Sequence, residues 1–170
     1  MLPIRPYLDL ASALDRAEFV ARHRGHFLLK RPSGSAQPKE NDFGFATVAI
    51  QINVDPFAAE WRIVPVAKRP SNPFPDRLTV GRATNCDVVL RVPFVSKVHA
   101  HILMKSDGTM ALHDNKPSNF TFHNQRKVAP DATEKLEIGD SVGFGSLEFE
   151  FVDGGRLYDV LRREVKVEGT

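Results

Sequence analysis

Residues 147–152 have the sequence LEFEFV, in which apolar and acidic side chains alternate. Successive side chains of an extended strand point to opposite faces, so Leu147, Phe149 and Phe151 share one face and the two glutamates share the other. The alternation therefore predicts a β-strand with one face in a core and the other in water.

Short apolar segments separated by turn residues continue this pattern through most of the chain. They predict strands at residues 61–68, 78–81, 87–91, 100–105, 109–113, 134–138 and 141–144. Many short strands at such close spacing are typical of an all-β sandwich. Three prolines between the first two of these strands cannot continue a hydrogen-bonded ladder and predict a connecting loop.

The register of one predicted hairpin follows from its apolar residues. A three-residue turn that ends at Gly108, with this glycine in the left-handed region, pairs Met104 with Met110 and keeps the apolar side chains on one face. A two-residue turn would misalign the two apolar sets. The longer turn also places His101 opposite His113 on the outer surface.

The first 58 residues predict an N-terminal extension of mixed helix and strand. Residues 9–22 carry apolar side chains at helical spacing and predict one amphipathic helix that ends near Gly25. Residues 26–30 and 43–52 predict strands. The Pro, Gly, Ser and polar residues between these two strands predict a loop.

The chain as a whole has 170 residues, of which 42% are hydrophobic and 26% are charged, enough apolar material for a folded core. We expect three parts: an N-terminal extension of open function at 1–58, a β-sandwich at 60–152 and a C-terminal tail or short helix at 153–170. The expected fold class is mainly β.

Charge and composition narrow the classes of function. The formal net charge of +2 gives no argument for nucleic-acid binding, and the single cysteine, Cys86, fits a reducing compartment. The N-terminal residues lack the apolar stretch of a secretory signal, and no segment has the roughly 20 apolar residues that a membrane helix needs. We therefore expect a cytoplasmic protein that binds neither nucleic acid nor membrane.

An ordered set of polar residues and glycines extends over residues 78–151. Its members are Gly81-Arg82, Asp87, Ser96 and His99, Asp114, Asn119 and Thr121, and Leu136 with Gly139-Asp140. In this order and spacing, the set resembles the forkhead-associated (FHA) domain family. The resemblance implies an FHA-like β-sandwich that binds phosphothreonine-containing segments of other proteins without turnover or a cofactor.

The resemblance also implies which residues bind the phosphopeptide: Arg82, Ser96, Lys97 and Asn119. A phosphothreonine carries close to two negative charges and three acceptor oxygens. The guanidinium of Arg82 can bind two oxygens at once, and the Ser96 hydroxyl and Lys97 ammonium can satisfy the rest. By resemblance, these three groups converge on one phosphate, and Asn119 hydrogen-bonds the main chain of the ligand.

Four further residues are expected to support the loops rather than to contact the ligand. They are Gly81, His99, Asp114 and Thr121. His99 is expected to orient the loop that carries Ser96.

The sequence departs from the family pattern at three positions. Phe120 and Gln125 occupy positions where the family has glycine, and Lys97 occupies one where the family often has arginine. If the family glycine after Asn119 has a positive φ, an aromatic residue there costs about 1 kcal/mol or changes the loop. Phe120 then either folds into the core or stands out as an apolar contact for the ligand.

Enzymatic and metal-dependent functions have little support in the sequence. Ser96, His99 and Asp114 are the residue types of a hydrolytic triad, but Ser and His lie three apart and no Gly-x-Ser-x-Gly elbow exists. The predicted His101 and His113 pair lacks a third metal ligand. We expect no catalytic residues and no metal site.

The resemblance and composition lead to one functional hypothesis and one alternative. The hypothesis is an adaptor that binds a phosphothreonine protein, a substrate of a Ser/Thr kinase. The alternative is a phosphate-independent interaction or scaffold module on the same sandwich, which Phe120 and Lys97 favour. The sequence leaves the oligomeric state open.

Overall fold

The structure, a computed structural model, describes residues 1–33 and 55–168. Its helices are α1 (Arg5–Ala13), α2 (Arg16–Arg22) and α3 (Gly154–Glu168). Its strands are β1 (Leu2–Pro3), β2 (His26–Lys30), β3 (Arg62–Val66), β4 (Arg77–Gly81), β5 (Val88–Val89), β6 (Ala100–Met104), β7 (Met110–Asp114), β8 (Thr121–His123), β9 (Arg126–Lys127), β10 (Thr133–Leu136), β11 (Ser141–Phe144) and β12 (Leu147–Asp153).

These strands form two sheets. The order in the seven-stranded sheet is β1-β3-β2-β12-β11-β8-β9, and the order in the five-stranded sheet is β10-β7-β6-β4-β5. All pairs are antiparallel except β4 with β5. The expected mainly β, sandwich-like fold with helices near the N-terminus is confirmed.

The main core lies between the two sheets. The side chains of Leu147, Phe149 and Phe151 point into it and are at most 2% exposed, so the alternation in β12 has the predicted effect. Leu78 and Ile102 enter the same core from the five-stranded sheet. Burial of apolar surface on this scale is the main stabilising contribution to such a fold.

A layer of helices covers the outer face of the seven-stranded sheet. Phe27 and Leu29 of β2 point toward the helices and pack with Phe19 and Leu157, whereas Leu28 between them points into the sandwich core. Strand β2 is therefore buried on both faces, which explains its continuous apolar sequence. None of the helices in the described residues is long and apolar enough to cross a membrane.

The predicted hairpin register is confirmed. Met104 lies opposite Met110, and His101 lies opposite His113 with their ring centroids 5.8 Å apart. Gly108 ends the three-residue turn with a φ of +83°. Keeping both apolar sets on the buried face was therefore a sufficient criterion for the length of the turn.

The prediction of one helix over residues 9–22 is wrong, because α1 and α2 are separate. Asp15 is extended, with a ψ of 171°, and its carboxylate accepts a hydrogen bond from the backbone N–H of Glu18. The Glu18 side chain accepts a bond from the Asp15 N–H in return. This reciprocal pair is a capping box, whose Asp-x-x-Glu spacing was present in the sequence.

Other differences concern the shortest elements. The strand predicted at 87–91 has only two residues in the structure, and β1, β8 and β9 are too short for their periodicity to be recognised. The C-terminal segment is a helix of 15 residues. The strand predicted at 43–52 lies outside the described residues, as does most of the loop before it.

A buried histidine joins the two sheets through hydrogen bonds of its side chain. His123 in β8 is hydrogen-bonded through Nδ1 to Glu134 of β10 (2.6 Å) and through Nε2 to Asp140 (2.8 Å). Burial alone lowers the pKa of His123, but the hydrogen bonds to Asp140 and Glu134 outweigh burial and raise it. The protonated ring can donate to both carboxylates at once, whereas the neutral ring has a single N–H.

We expect His123→Gln to reduce the free energy of unfolding at pH 6 by about 2 kcal/mol, because the ring bonds to charged groups. Because the pKa of His123 is raised in the folded state, protonation of its ring stabilises the fold. This stabilisation is complete below the unfolded-state pKa, about 6.5, and is lost as pH rises through the folded-state pKa. The difference between parent and variant should therefore shrink toward pH 9. Urea unfolding from pH 6 to 9 measures it, and a difference independent of pH contradicts the assignment.

Candidate functional site

Three loops meet at the end of the sandwich where β4 finishes. The backbone N–H of Arg82 donates to the carbonyl of Ser96 (2.9 Å), and that of Ala83 donates to the carbonyl of Lys97 (3.1 Å). The third loop joins through Ser118, whose backbone N–H donates to Ser96 Oγ (3.2 Å). The structure thus brings together the first three residues expected to bind phosphate.

The close approach of the first two loops requires a residue without a Cβ at position 81. A Cβ on Gly81 would lie 2.8 Å from the carbonyl carbon of Lys97 and 3.0 Å from the carbonyl oxygen of Ser96. The Lys97 carbonyl also accepts a hydrogen bond from the buried thiol of Cys86 (3.2 Å), so it has little freedom to move. Gly81 therefore supports the site by allowing backbone contact.

The side chain of Arg82 is exposed but held at its base. Its Nε donates to the carbonyl of Val95 (3.0 Å), which fixes the direction of the guanidinium. No ion pair in residues 1–33 or 55–168 includes Arg82 or Lys97. The two terminal nitrogens of Arg82 can therefore face an anion in the forked geometry that suits phosphate.

The hydroxyl of Ser96 is oriented by its neighbours. Because Oγ accepts a hydrogen bond from the Ser118 N–H, its own proton is available to donate to another acceptor. Ser96 is partly exposed and Lys97 is exposed on the same loop. A hydroxyl donor and an ammonium thus accompany the Arg82 guanidinium at the surface.

His99 lies beneath this loop and is completely buried. Its Nδ1 accepts from the backbone N–H of Ser96 (3.2 Å), so its Nε2 carries the proton and donates to the carbonyl of Phe120 (3.0 Å). Burial lowers the pKa of His99, more than the Phe120 carbonyl and the Asp114 charge raise it. The neutral ring therefore connects the Ser96 loop to the Phe120 loop.

The contacts of Ser96 and His99 do not pair a nucleophile with a general base. Both nitrogens of His99 are bonded to backbone groups, and the Ser96 hydroxyl is bonded to Ser118. A hydrolytic triad needs the imidazole to accept the proton of the serine hydroxyl. The described part of the chain also contains no cluster of three or more His, Cys, Asp or Glu that could hold a metal ion.

The loop between β7 and β8 carries Asn119 and Phe120. The Asn119 Nδ2 donates to the carbonyl of Phe94 (2.9 Å), which holds this loop beside the one that carries Ser96. Phe120 has a φ of +32° and is 47% exposed as a residue, and the Lys127 ammonium lies 3.0 Å from the centroid of its ring. Of the two placements left open by the sequence, the structure shows the outward one.

The other supporting residues differ in their contacts. Asp114 is buried, and its carboxylate accepts from the backbone N–H groups of Lys116 (3.0 Å) and Asp131 (3.3 Å), at the base of two loops. Thr121 is also buried, but its hydroxyl has no hydrogen-bond partner in the residues that the structure describes. Its backbone carbonyl accepts from the N–H of Val128 (2.9 Å).

Sequence reasoning missed two residues near the site. Ser118 acts through its backbone N–H, which no side-chain motif reveals. Arg91 projects from the segment between β5 and β6 and lines a cavity that also contacts Arg82. Its sequence neighbours are apolar and gave no signal of a functional position.

The β-sandwich thus carries a guanidinium, an ammonium and a hydroxyl on loops at one end, and loops on a rigid scaffold are a common place for binding residues. Residues 78–145 match the model of the family described as FHA domain. The match confirms the resemblance found in the sequence, over residues 78–145. A comparison with curated proteins finds no match.

Solved structures similar to this chain include the N-terminal FHA domain of S. cerevisiae Rad53p in complex with a phosphothreonine peptide. It shares 22% identity at a TM-score of 0.47, over 58% of this chain and 90% of that chain. Another is Mycobacterium tuberculosis EmbR in complex with a low-affinity phosphopeptide, with 24% identity and a TM-score of 0.42 over 46% of this chain. The alignment spans only 20% of the EmbR chain.

We expect Gly81→Ala to destabilise the protein by about 2 kcal/mol, since overpacking a rigid contact costs roughly 1–3 kcal/mol. The methyl group would push the Lys97 carbonyl away and separate the two loops. Gly108→Ala is the control: no atom lies within 4 Å of its Cβ position, and its cost comes from a positive φ that Gly81 does not have. Urea unfolding measures both, and an equal or smaller loss for Gly81→Ala would contradict the contact argument.

Proposed function

We propose that this protein binds phosphothreonine-containing segments of other proteins at the loops that carry Arg82, Ser96, Lys97 and Asn119. One observation supports this most directly. Two backbone hydrogen bonds place the Arg82 loop against the Ser96 loop, so that a guanidinium, a hydroxyl and an ammonium lie at the same exposed end of the sandwich.

The charges of these groups match those of a phosphate monoester. A phosphothreonine has a charge of about −1.5 to −2 at pH 7 and three oxygens that accept hydrogen bonds. In this proposal, Arg82 binds two oxygens through its terminal nitrogens, Ser96 donates its hydroxyl proton and Lys97 supplies a second positive charge. Because Lys97 offers a point charge and not a planar fork, it contributes less geometric specificity than Arg82.

Asn119 is proposed to contact the main chain of the bound segment. It lies on the loop that His99 connects to the phosphate-binding loop, so the two contacts are held at a fixed separation. An extended segment can then cross both loops. Binding without chemical turnover is part of this proposal.

The family assignment of residues 78–145 supports the same proposal, as does the phosphothreonine peptide bound by the Rad53p domain. We further propose that the protein acts as an adaptor for a phosphorylated substrate of a Ser/Thr kinase, in the cytoplasm.

Arg82→Ala should weaken binding of a phosphothreonine peptide at least about 100-fold, because each charge-assisted hydrogen bond to phosphate contributes roughly 1.5–3 kcal/mol. Titration calorimetry with a peptide that the parent protein binds measures the loss. The same peptide without its phosphate should not bind the parent detectably.

The matched control is Arg163→Ala, an exposed arginine on α3, on the opposite side of the seven-stranded sheet from the sandwich core. It should leave binding unchanged. Thermal unfolding should show both variants folded, since the substitution keeps the backbone bond of residue 82 and removes the side-chain bond from Nε to the Val95 carbonyl. Equal affinity of the parent and Arg82→Ala for the phosphopeptide rules out the proposed site.

A phosphate-independent interaction module is the second candidate, and the outward ring of Phe120 favours it. An exposed aromatic residue on a loop is a common anchor in protein interfaces. Phe120→Gly separates the two functions, because glycine also fits the positive φ at this position. If binding depends on phosphate, the Phe120→Gly variant should still bind the partner. If binding depends on the ring, the variant should lose binding, and the parent should still bind a partner treated with phosphatase.

A further inference from the structure

The outer face of the five-stranded sheet carries side chains that the proposed phosphate site does not use. The core-forming residues of β4, β6 and β7 point into the sandwich, so the residues that alternate with them point outward. In the strand register, one outward row runs from Arg77 through Leu103 to Lys135, and the next row contains His101 opposite His113. We call these five residues the outer-sheet surface.

The outer-sheet surface reaches solvent, unlike the outer face of the other sheet. The helical layer packs on the seven-stranded sheet, for example through the buried Phe19 of α2. On the outer-sheet surface, by contrast, the side chain of Lys135 is 65% exposed, that of Arg77 is 40% exposed and that of His113 is 24% exposed. A partner can therefore contact the charged groups and the half-buried Leu103 between them.

A rigid loop adds an aromatic side chain beside Arg77. Phe74 lies between two prolines and is 49% exposed, and the Arg77 guanidinium lies 5.0 Å from the centroid of its ring. The backbone N–H of Phe74 donates to Asn72 Oδ1 (2.8 Å), and Asn72 Nδ2 donates to the buried carboxylate of Asp87 (2.7 Å). Because these bonds fix the loop in advance, contact with a partner costs little conformational entropy.

The two cations of the outer-sheet surface pair only with exposed carboxylates. Arg77 Nε lies 3.4 Å from Asp76, whose side chain is 61% exposed, and Lys135 pairs with Glu137, whose side chain is 63% exposed. Exposed ion pairs of this kind contribute little free energy. A carboxylate from a partner can therefore compete for either cation.

The two histidines add a titratable pair beside these cations. Their ring centroids lie 5.8 Å apart. Burial, the facing His113 and the nearby Arg77 together lower the pKa of His101. His101 is therefore a ring that stays neutral near pH 7 unless a negative charge approaches it.

His113 has partners on the neighbouring elements. Its Nδ1 is hydrogen-bonded to Thr133 Oγ1 of β10 (2.8 Å), and its Nε2 lies 3.5 Å from Asp131. Asp131 also binds the Lys116 ammonium (3.0 Å), so its charge is shared between two groups. The positive charge of this face is thus only partly balanced by the described residues around it.

We propose that the outer-sheet surface binds an acidic, unphosphorylated segment of a partner protein, at a site separate from the phosphate site. Carboxylates of this segment would bind Arg77 and the histidine pair, and an apolar side chain would pack between Phe74 and Leu103. Complementary charge of this kind selects and orients a partner. The two exposed cations are too few for nucleic acid, whose binding depends on the neutralisation of many phosphates.

The geometry of the sheet sets the length of the bound segment. Arg77 and Lys135 lie at the two ends of a row that crosses four strands, and neighbouring strands are about 4.8 Å apart. The two positions are therefore separated by about 14 Å. An extended chain advances about 3.3 Å per residue, so a segment of about five residues with acidic ends reaches both cations.

Binding at the histidine pair should depend on pH. A carboxylate beside an imidazole favours its protonated form, so the complex takes up protons that the free protein does not hold. Affinity should therefore increase as pH falls from 8 to 6.

The test is an NMR titration of the full chain with the unphosphorylated peptide Glu-Glu-Phe-Glu-Glu. The backbone amide signals of Phe74, Arg77, His101, Leu103 and His113 should shift, and the affinity should be about fivefold higher at pH 6 than at pH 8. The peptide Gln-Gln-Phe-Gln-Gln is the matched probe and should bind at least about fivefold more weakly at pH 6.

Three variants separate the contributions. The double variant His101→Gln with His113→Gln should bind the glutamate peptide equally at pH 6 and pH 8, whereas Arg77→Gln should bind it more weakly at both. Arg163→Gln, on α3, is the control and should behave as the parent. The amide spectrum of each variant reports whether it is folded, and if the double variant is not, the two peptides in the parent decide the question.

The inference is overturned if the glutamate peptide shifts no signal of the outer-sheet surface, or if the glutamine peptide binds the parent equally well. Tighter binding of a single-stranded DNA oligonucleotide to the same face would also overturn it. Arg82→Ala should bind the glutamate peptide as the parent does. Its loss of phosphopeptide binding therefore tests the proposed function independently of this surface.

Discussion

Two parallel backbone hydrogen bonds, from Arg82 and Ala83 to Ser96 and Lys97, join the loop after β4 to the loop before β6. They are possible because Gly81 has no side chain at the point of closest approach. Their effect is to convert residues that are far apart in sequence into neighbours with a fixed separation. The positions of the guanidinium, the hydroxyl and the ammonium at the site all depend on this junction.

The sequence predicted the fold wherever periodicity was long enough to be informative. The alternation around Phe149 and the apolar sets around Gly108 specified a strand and a hairpin register that the structure confirms. The break between α1 and α2 was missed because helical periodicity continues across it, although the Asp15 and Glu18 capping pair marks the boundary. Local capping chemistry here overrides a periodic pattern.

The site was less predictable from sequence because much of it consists of backbone contacts. The resemblance indicated Arg82 and Ser96, and the structure places them together, but the donor from Ser118 leaves no trace in the side-chain pattern. Phe120 posed a question that only coordinates could answer, since a positive φ and an outward ring depend on the whole loop.

The position of β2 determines whether a shorter fragment of the chain has a complete sheet. This strand lies between β3 and β12 inside the seven-stranded sheet, and Phe27 pairs with Val152 across most of the chain length. A fragment limited to residues 78–145 lacks all three strands and would leave the open side of β11 as an unprotected sheet edge, which promotes aggregation. In the full chain, such distant pairing slows folding, because the termini must meet before the sheet is complete.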